Sequence, residues 1–365
     1  MISAKNLFPP LLLALGLCGC VLRATAPATT MQTIPADDSR FRYEGRFDTS
    51  EPAAPAVIWQ ASRIAIDFEG PTLALWFDWG EGQNFFDVTV DGTTAVLGVC
   101  HAGQSRLVFP QPLGPGRHRL TVFKRSEASA GHARFRGIEI ADGAHAWVPA
   151  APVYKLRMQF FGDSITAGAC NEDAGEDQWE DRSTHNNAKS YAAFTAAAFG
   201  ADYRNIAVSG IGIAIGYYPE VIGNVWDRVY PTEKSSRADL TGWAPDVICL
   251  NYGENDGSFT TVNKLPFPAK EFTAGYVSLV GAIRGAYPHA HIVILRGGMF
   301  NGAKHEELRA AWTAAVEQLA ARDAKVHHFV FNHWSGPHPR VADDRAMADE
   351  LVAWLGQQEF MRQYR

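Results

Sequence analysis

Two different periodicities divide the chain. Between residues 37 and 146, apolar and polar positions alternate in short runs, as where Leu120 and Val122 share one face and Arg119 and Thr121 the other. This pattern predicts strands over Phe41–Phe47, Ala56–Gln60, Arg63–Phe68, Thr72–Trp79, Phe85–Val90, Arg106–Phe109, Arg117–Lys124 and Arg134–Ile140. Turn formers such as Asp91-Gly92 and Gly114-Pro115-Gly116 separate them. Strands this close, with no helical stretch between them, predict a β-sandwich of jelly-roll type.

From residue 150 to 365 the pattern changes to alternating β and α. Apolar strands are predicted at Leu156–Phe161, Tyr203–Val208, Val247–Tyr252, His291–Arg296 and Val326–Phe331. Helices are predicted at Tyr191–Phe199, Glu271–Tyr287, Lys304–Ala321 and Val341–Leu355. In the second helix Phe272, Tyr276, Leu279, Val280 and Ile283 fall on one face. That order implies a parallel sheet covered by helices on both sides. Ligands of such sheets bind at the carboxyl ends of the strands.

The amino terminus carries a different signal. Lys5 precedes the apolar run Leu11–Leu17, which is too short to span a bilayer. Residues 1–20 therefore read as a signal peptide. Leu17-Cys18-Gly19-Cys20 resembles a bacterial lipobox, with Cys20 as the residue to be lipidated; cleavage near Ala24-Thr25-Ala26 is the alternative. Either places the mature protein outside the cytoplasm, as a periplasmic, outer-membrane or extracellular protein. Contact with a membrane is then expected only through the lipid. Residues 21–36 read as a tether. The net charge of −6, with no cluster of Lys or Arg, argues against a nucleic-acid partner. After the signal only Cys100, Cys170 and Cys249 remain, which fits neither a disulfide scaffold nor a metal cage. Cys249 reads as a small core residue.

Residues able to do chemistry fall just after strands of the second half. Ser164, in Gly162-Asp163-Ser164, follows one strand and starts a helical pattern, so backbone N–H groups there can face a developing oxyanion. Gly210 ends the next strand, where a glycine lets its N–H approach a ligand. Gly253-Glu254-Asn255-Asp256 ends the third, and the Asn255 amide can donate to an oxyanion without carrying charge. His338, in Gly336-Pro337-His338-Pro339, lies between the last strand and the last helix. A serine hydroxyl needs such a base to become a nucleophile. His333 is its rival. Read singly, each of these is an ordinary turn or loop residue.

In this order the four residues resemble the motif blocks of the SGNH (GDSL-type) hydrolases. The resemblance implies a flavodoxin-like three-layer α/β/α domain. It implies Ser164 as nucleophile and His338 as base, with an oxyanion hole of Ser164 N–H, Gly210 N–H and the Asn255 amide. The family usually has an aspartate three residues before the histidine; this chain has Ser335, which cannot supply a charge. A Ser–His dyad is therefore expected, with a backbone carbonyl able to fix the imidazole tautomer. Asp343 and Asp344 could substitute, but the following helix claims them as first-turn acids. Tyr43-Glu44-Gly45-Arg46-Phe47-Asp48, Val90-Asp91-Gly92, Phe123-Lys124-Arg125-Ser126-Glu127 and Phe135-Arg136-Gly137 resemble the amino-terminal jelly roll of carbohydrate esterase family two. That family is also known for lacking the aspartate. The resemblance implies removal of acetyl groups from polysaccharides such as xylan and glucomannan. Two other readings stay open: an SGNH lipase or thioesterase acting on acyl chains, and a non-catalytic carbohydrate-binding protein.

Several other groups are candidates for supporting roles. Asp163 and Asp256 read as loop braces, Ser335 as support for His338, and Trp334 and Glu254 as sugar contacts. Trp334 reads equally as a buried ring. The polar insert 171–189 reads as a cleft wall or as a solvated loop. His327-His328 would point to opposite faces of a strand, so no metal is expected, and the proposed chemistry needs no cofactor.

Overall fold

A computed structural model describes residues 30–364. Residues 1–29, which hold the expected signal sequence, Cys20 and the first part of the expected tether, lie outside the described residues. The first half contains β1 (Met31–Pro35), β2 (Arg42–Glu44), β3 (Phe47–Asp48), β4 (Ala56–Val57), β5 (Arg63–Glu69), β6 (Leu73–Gly82), β7 (Asn84–Val90), β8 (Thr93–Val99), β9 (Gln104–Val108), β10 (Arg117–Lys124), β11 (Gly131–Ala141) and β12 (Ala146–Trp147). They form two antiparallel sheets, one ordered β3-β4-β11-β6-β9 with β1 also on β11, the other β12-β5-β10-β7-β8 with β2 also on β5. Period-two patterning explains the shared core. Leu73, Leu75 and Phe77 of one sheet meet Ile64, Ile66, Phe68, Phe86, Val88 and Val90 of the other. In β11 the buried positions shift from Ala133 and Phe135 to Ile138 and Ile140, because a register shift between Phe135 and Gly137 inserts one residue.

Part of the expected tether belongs to this sandwich. Met31–Pro35 pairs with Gly137–Ala141. Its five residues alternate too weakly to announce a strand, and the ladder to β11, with Ile34 buried in the core, is what orders it.

The second half has β13 (Arg157–Gly162), β14 (Asp202–Ala207), β15 (Val247–Asn251), β16 (His291–Met299) and β17 (Val326–Ser335), all parallel, in the order β14-β13-β15-β16-β17. Its helices are α1 (Ser164–Ala167), α2 (Tyr191–Ala198), α3 (Ile222–Val225), α4 (Glu254–Asn263), α5 (Ala269–Ala286), α6 (Phe300–Lys304), α7 (Glu306–Ala320) and α8 (Val341–Leu355). Strand alternation sorts the core into two layers. Phe161, Ile248, Leu250, Ile292 and Ile294 pack against α5 and α7, while Phe160, Cys249, Val293 and Leu295 pack against α2 and α8. The helix expected over Lys304–Ala321 is interrupted at His305, whose Nδ1 accepts from Leu308 N at 3.2 Å and caps α7. The strand order reverses at β13, which places the residue after it at the switch point of the sheet.

The two halves are packed as one body. Ile58 and Trp59 of the sandwich enter the core beneath α5. Trp59 Nε1 donates to Val229 O at 2.7 Å, and the buried Arg46 donates to the carbonyls of Trp226 and Arg228, each at 2.8 Å.

Candidate active site

Ser164 sits at the first position of α1, directly after β13. Asp163 caps that turn by accepting from Ile165 N at 3.1 Å. Gly162 has to be small, since a Cβ there would meet Thr166 Oγ1 at 2.0 Å. The turn is therefore tight and aims Ser164 Oγ across the carboxyl end of the sheet. His338, between β17 and α8, meets it: Nε2 lies 2.7 Å from Ser164 Oγ.

The other imidazole nitrogen corrects the dyad expected from sequence. His338 Nδ1 lies 2.6 Å from Asp177 Oδ2, and the His338 backbone N–H donates to both oxygens of the same carboxylate, at 3.1 and 3.2 Å. Asp177 comes from the polar insert 171–189, so the carboxylate is present but reaches the histidine from a different loop. Arg340 donates to Asp177 Oδ1 at 2.9 Å and holds the His338 and Cys170 carbonyls, while also reaching Gly175 O. Burial works to raise the Asp177 carboxyl, but the His338 hydrogen bond and charge, with Arg340, hold it well below the usual carboxylate range. It is thus a fixed anion that selects the tautomer with Nδ1 protonated, leaving Nε2 free to accept the serine proton.

Ser335, the residue in the usual acid position, turns away. Its hydroxyl donates to Pro337 O at 2.6 Å and tightens the turn bearing His338. Asp343 pairs with His333 at 2.8 Å, which occupies both that acid and the rival histidine. Asp344 is buried and accepts from Tyr191 N and Asn171 Nδ2.

Gly210 and Asn255 border the same cleft as Ser164 and His338. Gly210 has φ +82°, the left-handed region that favours glycine. Among the described residues, neither the Ser164 nor the Gly210 N–H donates to a protein acceptor. The Asn255 amide nitrogen donates to Ile211 O at 3.0 Å and lies 3.2 Å from Asp163 Oδ2. Asp256 accepts from the N–H groups of Ile213, Ala214 and Ile215. Glu254 lines the cleft, but its carboxylate is taken by Asn301 and Gly302, so it anchors α6 instead of offering free acceptors. Trp334 lies edge-on behind Phe300, and it is Phe300 that faces the cleft.

The cleft has a volume of about 610 Å³, and Trp179, Tyr217 and Phe300 lie along it. Trp179 packs edge-on against both His338 and His185, at 5.2 and 5.3 Å between centroids. The insert is thus a wall of the cleft, one of its two expected readings. Sequence reasoning missed Asp177 and Trp179. The insert holds six acids (Glu172, Asp173, Glu176, Asp177, Glu180 and Asp181), and no spacing distinguishes Asp177 among them. Cys170, Asp177 and His338 bring three metal-ligand types together. The set suits a metal poorly: His338 and Asp177 bond each other, and burial pushes the Cys170 thiol up, so it stays protonated. Cys100, Cys170 and Cys249 are free thiols.

Comparison with known proteins agrees with this architecture. Residues 43–152 match the carbohydrate esterase 2 N-terminal domain, and residues 160–351 the GDSL-like lipase/acylhydrolase family. The chain is 32% identical over 336 residues to the cellulase/esterase CelE of Acetivibrio thermocellus, aligning 89% of itself with 40% of that longer protein. It is 26% identical to an acetylxylan esterase / glucomannan deacetylase of Cellvibrio japonicus, covering 85% of this chain and 88% of that one. Among solved structures, a family two carbohydrate esterase from Clostridium thermocellum in complex with cellohexaose superposes with TM-score 0.76 at 30% identity, over 86% of this chain and 98% of that one. A family two carbohydrate esterase from Cellvibrio japonicus shares the fold, with TM-score 0.78 at 22% identity over 93% and 100% of the two chains. Matching in both domains and over nearly the whole of the solved relative, the chain belongs to carbohydrate esterase family two, a family of carboxylic-ester hydrolases.

Proposed function

We propose that this protein hydrolyses O-acetyl esters on plant-type polysaccharides or oligosaccharides, such as xylan or glucomannan. The observation that carries the reading is the relay Ser164–His338–Asp177 opening onto a ring-lined cleft. Ser164 Oγ attacks the acetyl carbonyl as His338 Nε2 takes its proton. The C=O π electrons move onto oxygen, which the Ser164 and Gly210 N–H groups receive. The intermediate expels the sugar oxygen, which leaves with the proton from His338, and acetyl-Ser164 remains. Water then attacks, again deprotonated by His338, and acetate leaves as the serine is reprotonated.

Asn255 joins the oxyanion hole by exchanging one partner. Its bond to Asp163, at 3.2 Å, is the longer of the two, and burial drives the Asp163 carboxyl well above its ordinary value, which disfavours its charged form. A developing oxyanion is a strong, charge-assisted acceptor. Asp163 therefore parks the amide until charge appears.

The aromatic side chains along the cleft favour sugar rings over a long acyl chain, and the complete relay favours catalysis over binding alone. Export, with lipidation at Cys20, belongs to the same proposal and is supported by the apolar run Leu11–Leu17 and the lipobox-like segment. Acetate release from acetylated xylan tests the function, with wild type active and Ser164→Ala inactive. Equal rates in both variants, or a preference for long-chain over acetyl nitrophenyl esters, would count against it.

A further inference from the structure

The catalytic cleft is bordered by the sandwich as well as by the α/β domain. Glu127 lies in the connection between β10 and β11 and is fully buried, at 0% exposure. Its Oε2 accepts from the Ser209 N–H at 3.2 Å and from the Ser209 hydroxyl at closer range. Its Oε1 accepts from His185 Nδ1 at 3.1 Å and Arg182 Nη1 at 3.2 Å. Ser209 immediately precedes Gly210. Arg182 and His185 belong to the insert that carries Asp177. One sandwich carboxylate therefore grips both the oxyanion turn and the loop that bears the acid.

Burying a carboxylate is costly, and here four donors converge to offset the cost. Desolvation alone would raise the Glu127 carboxyl, but His185, Ser209 and Arg182 pull it down to about 2. Adhesion between domains does not require this arrangement. Arg46 and Trp59 already tie the halves together by bonds to backbone carbonyls at residues 226–229, which belong to neither the Ser209-Gly210 turn nor the insert.

We propose that Glu127 is a positioning residue for the hydrolytic site. It fixes the Ser209-Gly210 turn, and with it the Gly210 N–H, and it fixes the insert, and with it Asp177. The sandwich domain is then a working part of the active site. This rests on the esterase reading above.

The test uses the full chain and Glu127→Gln, which keeps the shape but sets an amide N–H against donors. Displacing an oxyanion donor and the acid together should lower kcat on nitrophenyl acetate about 10- to 100-fold, with KM within about threefold. The rate at which a fluorophosphonate labels Ser164 should fall in parallel. Trp59→Phe, which removes a different interdomain hydrogen bond, should lower Tm and leave kcat unchanged. A folded Glu127→Gln with kcat and labelling rate within about twofold of wild type overturns the proposal. If Glu127→Gln does not fold, Ser209→Ala decides: a several-fold lower kcat supports the proposal, and an unchanged one overturns it. A wild type that labels at Ser164 but cleaves no acetyl ester would refute the substrate reading, and the labelling rates would still judge Glu127.

Discussion

Replacing Asp177 by Asn separates a triad from a dyad. In the native site Oδ2 accepts from His338 Nδ1 at 2.6 Å while Oδ1 accepts from Arg340 at 2.9 Å. An asparagine cannot serve both. With its oxygen toward His338, its NH₂ faces the Arg340 guanidinium. With its NH₂ toward His338, the imidazole must place its proton on Nε2, where it can no longer accept from Ser164. The charge that stabilises the imidazolium is lost in either case. From these combined losses we expect kcat on nitrophenyl acetate to fall about 10³- to 10⁴-fold, equivalent to about 4–5.5 kcal/mol of transition-state stabilisation. KM should change little, because Asp177 lies behind the histidine and does not face substrate. Steady-state kinetics on folded protein, checked by Tm, decide the matter. A loss smaller than about tenfold would refute the reasoning and restore a dyad.

Four further outcomes follow from the same geometry. Ser335→Ala removes the hydroxyl's hydrogen bonds to Pro337 O and Gly298 O, so stability should fall by about 1 kcal/mol and kcat by no more than a few-fold; a loss like that of Asp177→Asn would contradict this assignment. Gly162→Ala forces a methyl onto Thr166 and should cost about 1–3 kcal/mol in denaturant unfolding while displacing Ser164 and lowering kcat. Tyr217, exposed on the cleft, should matter for polymer and not for small esters, so Tyr217→Ala should raise KM on acetylated xylan and leave nitrophenyl acetate kinetics unchanged. Because the Asp177 carboxyl is held below its ordinary 3.8, its contribution to stability is complete above about pH 5 and drains as pH falls past that value; Tm of wild type should drop more steeply than Tm of Asp177→Asn between about pH 4 and pH 2.

Much of the fold was legible because its signals are local. Alternation in Arg117–Lys124 and the one-sided stripe of Phe272, Tyr276, Leu279 and Ile283 survive unchanged in β10 and α5. Ser164, Gly210, Asn255 and His338 were legible because each follows its own strand, and a parallel sheet brings such ends together. Asp177 was not, since its role depends on how residues 171–189 dock. Arg125 holds Glu172, Gln83 bonds the backbone at Glu180 and Arg182, and Glu127 grips His185. These contacts come from the other domain and have no counterpart in local spacing. Strands β1 and β8 were missed for a related reason: Met31–Pro35 and Thr93–Val99 alternate weakly, and their order comes from partners β11 and β7.

The central claim is that Ser164 carries the acetyl group during turnover. The direct measurement is peptide mapping by mass spectrometry after rapid acid quench of wild-type protein turning over an acetylated xylo-oligosaccharide. The account predicts an acetyl adduct on the peptide containing Ser164, absent before substrate is added and absent from Ser164→Ala, which should also release no acetate. Acetate released by Ser164→Ala at the wild-type rate would contradict it.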